Sequence, residues 1–207
     1  MAKTFAQLKT LVGTYLDRSD LTSVVGDWVN SAIRKIERQE NFNGMMNRAT
    51  TTSSVEFLSV PTGFKEVISF KVKDTSNLYY DVEKKDIGDM LLLNQDEQMM
   101  PMYYCYIPSQ SEFQLRPIPN TTYTFDITYY KYSTELSADG DTNWWTNNAW
   151  ETVLYGALLE AEPYLMNDAR LTVWKGLLDD YLNRIRQSEI PERYKLLAVK
   201  PSVTTVV

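Results

Sequence analysis

Histidine is absent from this chain, and cysteine occurs once, as Cys105. The first absence removes the commonest general base and the commonest metal ligand together. The second excludes an intramolecular disulfide and a zinc–thiolate site, and fits synthesis in a reducing compartment. Cys105 lies in Met102-Tyr103-Tyr104-Cys105-Tyr106-Ile107, a strand pattern, where a packed thiol is expected and no imidazole stands by to activate it. No run approaches the length of apolar sequence that crosses a bilayer, so no membrane span is expected. Met1-Ala2-Lys3-Thr4-Phe5 is not followed by the apolar stretch of a secretory signal. The eight glycines form neither a P-loop nor a Gly-x-Gly-x-x-Gly turn. Positive charge is scarce as well. A net charge of -6 argues against a protein whose main task is gripping a nucleic acid backbone, which needs concentrated Lys and Arg.

What the chain does have is aromatic residues, 13% of its 207 positions, with 14 tyrosines among them. It also has clear periodicity. Phe5, Leu8, Val12, Tyr15 and Leu16 predict a helix over about residues 4–17, capped by Thr4. A second helix is expected after Ser19 or Asp20 as its cap. Val24 or Val25, Trp28, Val29, Ile33 and Ile36 face inward, and Lys35, Glu37, Arg38 and Glu40 face solvent. Asn41-Phe42-Asn43-Gly44 ends it, with glycine available for a left-handed turn. From Arg48 the character turns to strands: Ala49–Leu58, Phe64–Lys73 with Ile68, Phe70 and Val72 alternating, Leu78–Val82, Met102–Ile107, Phe113–Arg116 and Tyr123–Tyr132. Val60-Pro61-Thr62-Gly63 is a turn. Glu83–Leu93 is ambiguous, a short helix being weakened by Gly88.

Two further helical stripes follow the loop Thr142–Asn148. Trp150, Val153, Leu154, Ala157, Leu158, Ala161 and Leu165 form the first. Leu171, Trp174, Leu178, Tyr181, Leu182 and Ile185 form the second, with Pro163 and Asn167-Asp168 between them. The expected fold is therefore α+β: a four-helix bundle of the N- and C-terminal helical pairs, residues 1–48 and 136–190, with an inserted antiparallel β domain, residues 49–135. Residues 191–207 form a tail without amphipathic period, either disordered or laid extended along another surface.

No chemistry is selected. Asp139-Gly140-Asp141-Thr142-Asn143 begins like a calcium loop, but Trp144 stands where that loop wants glycine and Trp150 where it wants glutamate, so an ordinary turn is expected. Glu160 and Glu162 read as a solvated helix end, and nothing singles out a hydrolase carboxylate pair. Tyr103, Tyr104, Tyr106, Tyr129, Tyr130 and Tyr132 form either a stacking platform for single strands or the sugars of a glycan, or ordinary sheet packing, which the lack of a neighbouring basic groove favours. No catalytic residue, cofactor or metal ligand is assigned.

One resemblance is carried by the whole pattern. Thr142-Asn143-Trp144-Trp145, Leu154–Leu165, Asn167-Asp168-Ala169-Arg170 and Trp174 resemble the head-to-tail adaptor (connector) proteins of tailed bacteriophages. Phe5, Leu8 and Val12, Leu16-x-Arg18-x-Asp20, Trp28-Val29-Asn30-x-Ala32, Ile36-Glu37-Arg38 and Val60-Pro61-x-Gly63-Phe64 agree. The likeness spans most of residues 5–186 and identifies a shape, not an active site.

It implies a non-enzymatic virion protein at the head–tail junction, made in the bacterial host cytoplasm. It implies a ring, commonly dodecameric, that binds the portal protein, extends the channel for double-stranded DNA without specific binding, and docks a tail or tail-nozzle protein, with no membrane involved. On that reading, Trp144 and Trp145 are candidates for contact with a neighbouring subunit or domain. In the tail, Tyr194, Leu196, Leu197, Val199, Val203 and Val206 are candidates for docking along the portal.

Overall fold

The first helix begins where Thr4 accepts a hydrogen bond from the Gln7 backbone N–H, and the Gln7 side chain accepts one from Thr4 N–H, a reciprocal cap. Helix α1 (Phe5–Leu16) then buries Phe5, Leu8, Val12 and Leu16. The computed structural model describes residues 1–18, 20–165 and 169–197, with residues 190–197 as backbone only. Within it the chain divides into two units: Met1–Gly44 with Ser133–Val207, and Met45–Tyr132. The divisions expected from sequence lay at 48/49 and 135/136.

In the helical unit, α2 (Thr22–Gln39) buries Val25, Trp28, Val29, Ala32, Ile33 and Ile36. It also buries Glu37, which the sequence placed in solvent. Its start carries no side-chain cap. Asp20 is instead held by both nitrogens of the Arg18 fork at 2.6 Å, which brings its carboxyl down to about 2. Ser19, the other expected cap, lies outside the described residues. Gly44 does not adopt the left-handed turn expected of it, since the positive-φ glycine of the described residues is Gly63. Gly44 matters for space: a Cβ there would fall 2.2 Å from the Trp144 ring.

The expected four-helix bundle is not what forms. The expected loop Thr142–Asn148 contains a short helix, α4 (Trp144–Asn148), and the stripe read as one helix is divided into α5 (Trp150–Glu160) and α6 (Glu162–Leu165). Ala149, at φ -147 and ψ 42, breaks the first join, and Pro163 sits in the opening turn of α6, where its missing N–H is tolerated. The break expected at Asn167-Asp168 lies outside the described residues. Helix α5 buries Thr152, Val153, Leu154, Gly156, Ala157 and Leu158. Between its two terminal residues, only the stripe of Glu151, Tyr155 and Leu159, four residues apart, stays partly exposed, so most of its circumference is covered. Helices α1, α2 and α7 (Arg170–Leu197) all pack on α5, which is therefore a central post rather than one of four equal staves. At its closest approach to α2, a Cβ on Gly156 would meet Ala32 Cβ at 2.9 Å. Lys35 and Ser31 of α2 both donate to Glu160, at 2.6 and 3.0 Å, so Glu160 is not the solvated helix end that the sequence suggested.

Helix α7 runs through Pro191 as far as Leu197, so residues 191–197 of the expected tail are helical, and residues 198–207 lie outside the described residues. It is pinned just before that proline. Arg186 donates to Glu40 at 2.9 Å, and the buried Glu189 accepts the Asn43 N–H at 2.6 Å.

In the β unit, strands β1 (Met46–Ser53), β8 (Tyr123–Lys131), β3 (Phe64–Lys73) and β4 (Tyr79–Asp81) form one antiparallel sheet in that order. The second sheet runs β2 (Phe57–Ser59), β7 (Glu112–Arg116), β6 (Tyr103–Ile107), β5 (Glu83–Lys84), and its β5–β6 pair is parallel. The inserted domain is thus two sheets, one of them mixed, rather than purely antiparallel. Their inner faces share one core that includes Leu58, Phe70, Val72, Phe113, Leu115, Phe125 and Ile127.

The clean alternation of β8 appears as written, with Tyr123, Phe125, Ile127 and Tyr129 inward. That of β3 does not. The register shifts between Val67 and Ser69, and this bulge turns Ile68 outward while Val67 packs on the core. At Pro61–Gly63 the glycine takes φ 74, as the turn requires.

Across β1 and β8, Arg48 Nε donates to Asp126 Oδ1 at 2.6 Å. The guanidinium holds the Asp126 carboxyl below its ordinary range. A lowered folded-state value contributes stability that is fully present above the unfolded carboxylate value, about 4, and is lost as pH falls through the folded value. Asp126→Asn is therefore expected to lower the stability of the β unit at neutral pH and to flatten its fall below about pH 4. Acid titration followed by tyrosine near-ultraviolet circular dichroism measures this, and an unchanged slope would count against it.

Candidate functional site

The tryptophan pair named from the sequence is not a loop. Asn143 accepts from Thr146 N–H at 3.1 Å and Thr146 Oγ1 accepts from Asn143 N–H at 2.9 Å, a reciprocal cap that starts α4. This places Trp145 inward, 0% exposed. Its Nε1–H donates to Glu37 Oε1 at 2.8 Å, and its ring meets Phe42 and Trp144 edge-on, each at 5.0 Å. Glu37, also 0% exposed, further accepts the Ser133 N–H at 3.1 Å. Trp145 is thus a core residue with its one polar atom satisfied, rather than a surface residue open to a neighbouring subunit or domain. Trp144 is half-buried over Gly44. The sequence signal for Glu37 is its position four residues after Ile33, on the inward stripe.

Of the tail candidates, Tyr194, Leu196 and Leu197 lie in α7, described by backbone alone, and Val199, Val203 and Val206 lie outside the described residues.

The tyrosine platform is split. Tyr104 and Tyr129 belong to the core, and burial, with Glu66 adding, pushes the Tyr104 hydroxyl up to about 12. Tyr103, Tyr106, Tyr130 and Tyr132 are half-buried. Burial likewise raises the Cys105 thiol, which leaves it further from a nucleophilic thiolate.

The calcium-like loop is a self-satisfied turn. Asp141 accepts the Ser137 and Ala138 N–H groups, both at 2.8 Å, and these bonds lower its carboxyl. Asp139 pairs with Lys9 at 2.8 Å. Among the described residues, no group of three or more acids or thiols gathers as a metal site, and no helix is long and apolar enough to cross a membrane.

What sequence reading missed is a surface on the β unit. The segment from β4 through β5 into α3 (Ile87–Leu92) exposes Leu78, Tyr79, Tyr80, Ile87, Leu91 and Leu92. Leu91 is 65% and Leu92 86% exposed, while Met90 between them and the sheet is buried. A helix of six residues is marginal by itself, yet this one is fixed at its end. Gln95 Nε2 donates to the Met90 and Leu93 carbonyls at 2.9 and 2.6 Å, and its Oε1 accepts from Arg116 at 2.7 Å. Arg116, 4% exposed on β7, also pairs with Glu56 at 2.7 Å. A buried ionic anchor thus holds a short helix whose Leu91 and Leu92 face solvent.

Compared with known protein families, residues 3–199 match the family described as SU10 adaptor protein. No curated protein matches the sequence.

Proposed function

The chain belongs to the SU10 adaptor protein family, and on that premise we propose that it is the structural head-to-tail adaptor of a tailed phage. Copies assemble as a ring, dodecameric in the full assembly, beneath the portal. The ring extends the DNA channel and gives the tail or tail nozzle its platform. The observation that carries this reading is the family match over nearly the whole chain, which agrees with the likeness seen in the helical segments. The net charge of -6 supports a channel that passes DNA without holding it, because like charge disfavours phosphate contact. The work is scaffolding rather than catalysis, carried out in the virion at the head–tail junction.

Portal docking falls to residues 191–207, which carry Tyr194, Leu196, Leu197, Val199, Val203 and Val206. Their deletion is expected to leave a folded protein that no longer co-sediments with portal. Normal co-sedimentation would sink that assignment. Electron microscopy of the full-length protein mixed with portal tests the ring itself: closed rings are the expected result, and protein that stays monomeric on portal would overturn it.

A further inference from the structure

The outer face of the second sheet is covered, although the core between the sheets needs only the inner face. Along β6 and β7, Tyr104, Tyr106, Phe113 and Leu115 point into that core. Cys105, Gln114 and Arg116 alternate with them and point the other way. They are nevertheless 2%, 7% and 4% exposed. Part of the cover is α3, which packs on β6, and its Met90 is buried apart from the core between the sheets. The Cys105 thiol lies between the two layers. Burial raises it, Arg116 on the neighbouring strand lowers it, and Asp86 at the start of α3 raises it again.

The hold on this cover is slight. Its ends are tied by backbone pairs: Lys85 N–H donates to the Tyr104 carbonyl at 2.8 Å, and Ile118 N–H donates to the Glu97 carbonyl at 2.9 Å. Between those ties, among the described residues, a single hydrogen bond joins residues 86–96 to the rest of the unit, from Arg116 Nη2 to Gln95 Oε1. The same Gln95 closes the end of α3, whose start has no side-chain cap. Arg116 Nε is buried without an acceptor among the described residues, which costs the closed arrangement free energy.

We infer that residues 86–96 form a lid that opens as one piece while both sheets stay folded, with Gln95 as its catch. Opening breaks the bond between Gln95 and Arg116, withdraws Met90, and uncovers the Cys105 thiol and the Arg116 guanidinium to water, where Nε finds an acceptor. Helix α3 does not outlast the opening, because six residues hold no helix alone. Leu91 and Leu92 therefore stand on a fixed helix in the closed form only. The lid belongs to the β unit alone and does not depend on the ring reading.

The test uses the full-length protein and the thiol reagent dithionitrobenzoate, since Cys105 is the one thiol of the chain. The wild-type labelling rate is expected to change little with urea below the unfolding transition, because a local opening exposes little surface. A rate that climbs with the slope of the equilibrium unfolding curve would mean that only global unfolding reaches the thiol, and would overturn the inference. Gln95→Ala is expected to raise the labelling rate by about tenfold or more, because it removes a hydrogen bond to a charged group, and to keep the near-ultraviolet circular dichroism melting curve of wild type. An unchanged rate in that variant would also overturn it. Hydrogen exchange on the wild-type protein needs no variant: the amides of α3 are expected to exchange together and ahead of those of β6 and β7. Exchange of all three elements at one rate would leave no lid.

Discussion

Glu37→Ala is expected to destabilise the helical unit by about 3 kcal/mol, because it leaves two donors without their acceptor, each costing about 1–3 kcal/mol when buried. The donors are the Trp145 indole N–H and the Ser133 N–H. Glu37→Gln keeps a side-chain oxygen that can accept from Trp145, so its loss should be smaller. Glu37→Leu fills the space but accepts nothing, and should resemble alanine. All five tryptophans, Trp28, Trp144, Trp145, Trp150 and Trp174, lie in the helical unit. Urea unfolding followed by tryptophan fluorescence therefore reports this unit without contribution from the other. An alanine variant within about 0.5 kcal/mol of wild type, the range of ordinary surface substitutions, would show that Glu37 is not the keystone described. The same variant should alter the emission of Trp145 even where the protein remains folded, since its indole loses a charged partner.

In the β unit the largest effect belongs to Phe113→Ala, expected to cost about 3–5 kcal/mol through lost burial and the cavity left behind. Phe113 is 0% exposed in the middle of the mixed sheet. Phe64 and Phe70 meet it at ring distances of 5.3 Å, Tyr104 at 5.6 Å and Tyr106 at 5.7 Å. Four rings cannot all close over the space of one without leaving their own strands. Nine of the 14 tyrosines and none of the tryptophans lie in this unit, so loss of near-ultraviolet circular dichroism ahead of the tryptophan fluorescence transition reports this core. Phe113→Leu, which keeps most of the volume, should recover the larger part of the loss. Equal losses for alanine and leucine would mean that edge-to-face ring geometry, rather than volume, holds this core together.

These two positions differ in how far the sequence announced them. Phe113 follows from its strand pattern, flanked by turns and followed by Gln114 and Leu115. The sequence places Glu37 in solvent because Lys35, Arg38 and Glu40 surround it. Its place four residues after Ile33 continues the inward stripe, but nothing near it in the chain supplies the partner that a buried carboxylate needs. Its partners are Trp145 and Ser133, far away in the chain, and only folding brings them to it. The inward place of Trp145 is hidden for the same reason. Its polar neighbours looked like a loop, whereas the cap formed by Asn143 and Thr146 makes a short helix that aims it inward. The exposed face of α3 is not legible in the sequence, because Gly88 leaves Glu83–Leu93 ambiguous and three apolar residues at helical spacing do not say which of them turns in. In the fold, Met90 alone takes the buried place.

By itself the sequence determined the elements whose signals are local: the Thr4 cap and apolar stripe of α1, the inner face of α2, the two-residue period of β8, the turn at Gly63, and the scarcity of groups able to do chemistry. It also carried the likeness to phage adaptors, since that likeness resides in helical spacings preserved in the chain. Only the tertiary structure decided that α5 is a central post rather than a bundle stave, that Ile68 turns out at a bulge, that Glu37 and Trp145 meet in the interior, and that Leu91 and Leu92 stand in solvent on an anchored helix. The physical reason is common to all four. A periodic pattern states that a segment has an apolar side, but burial is set by what packs against that side, and those partners lie in distant parts of the chain.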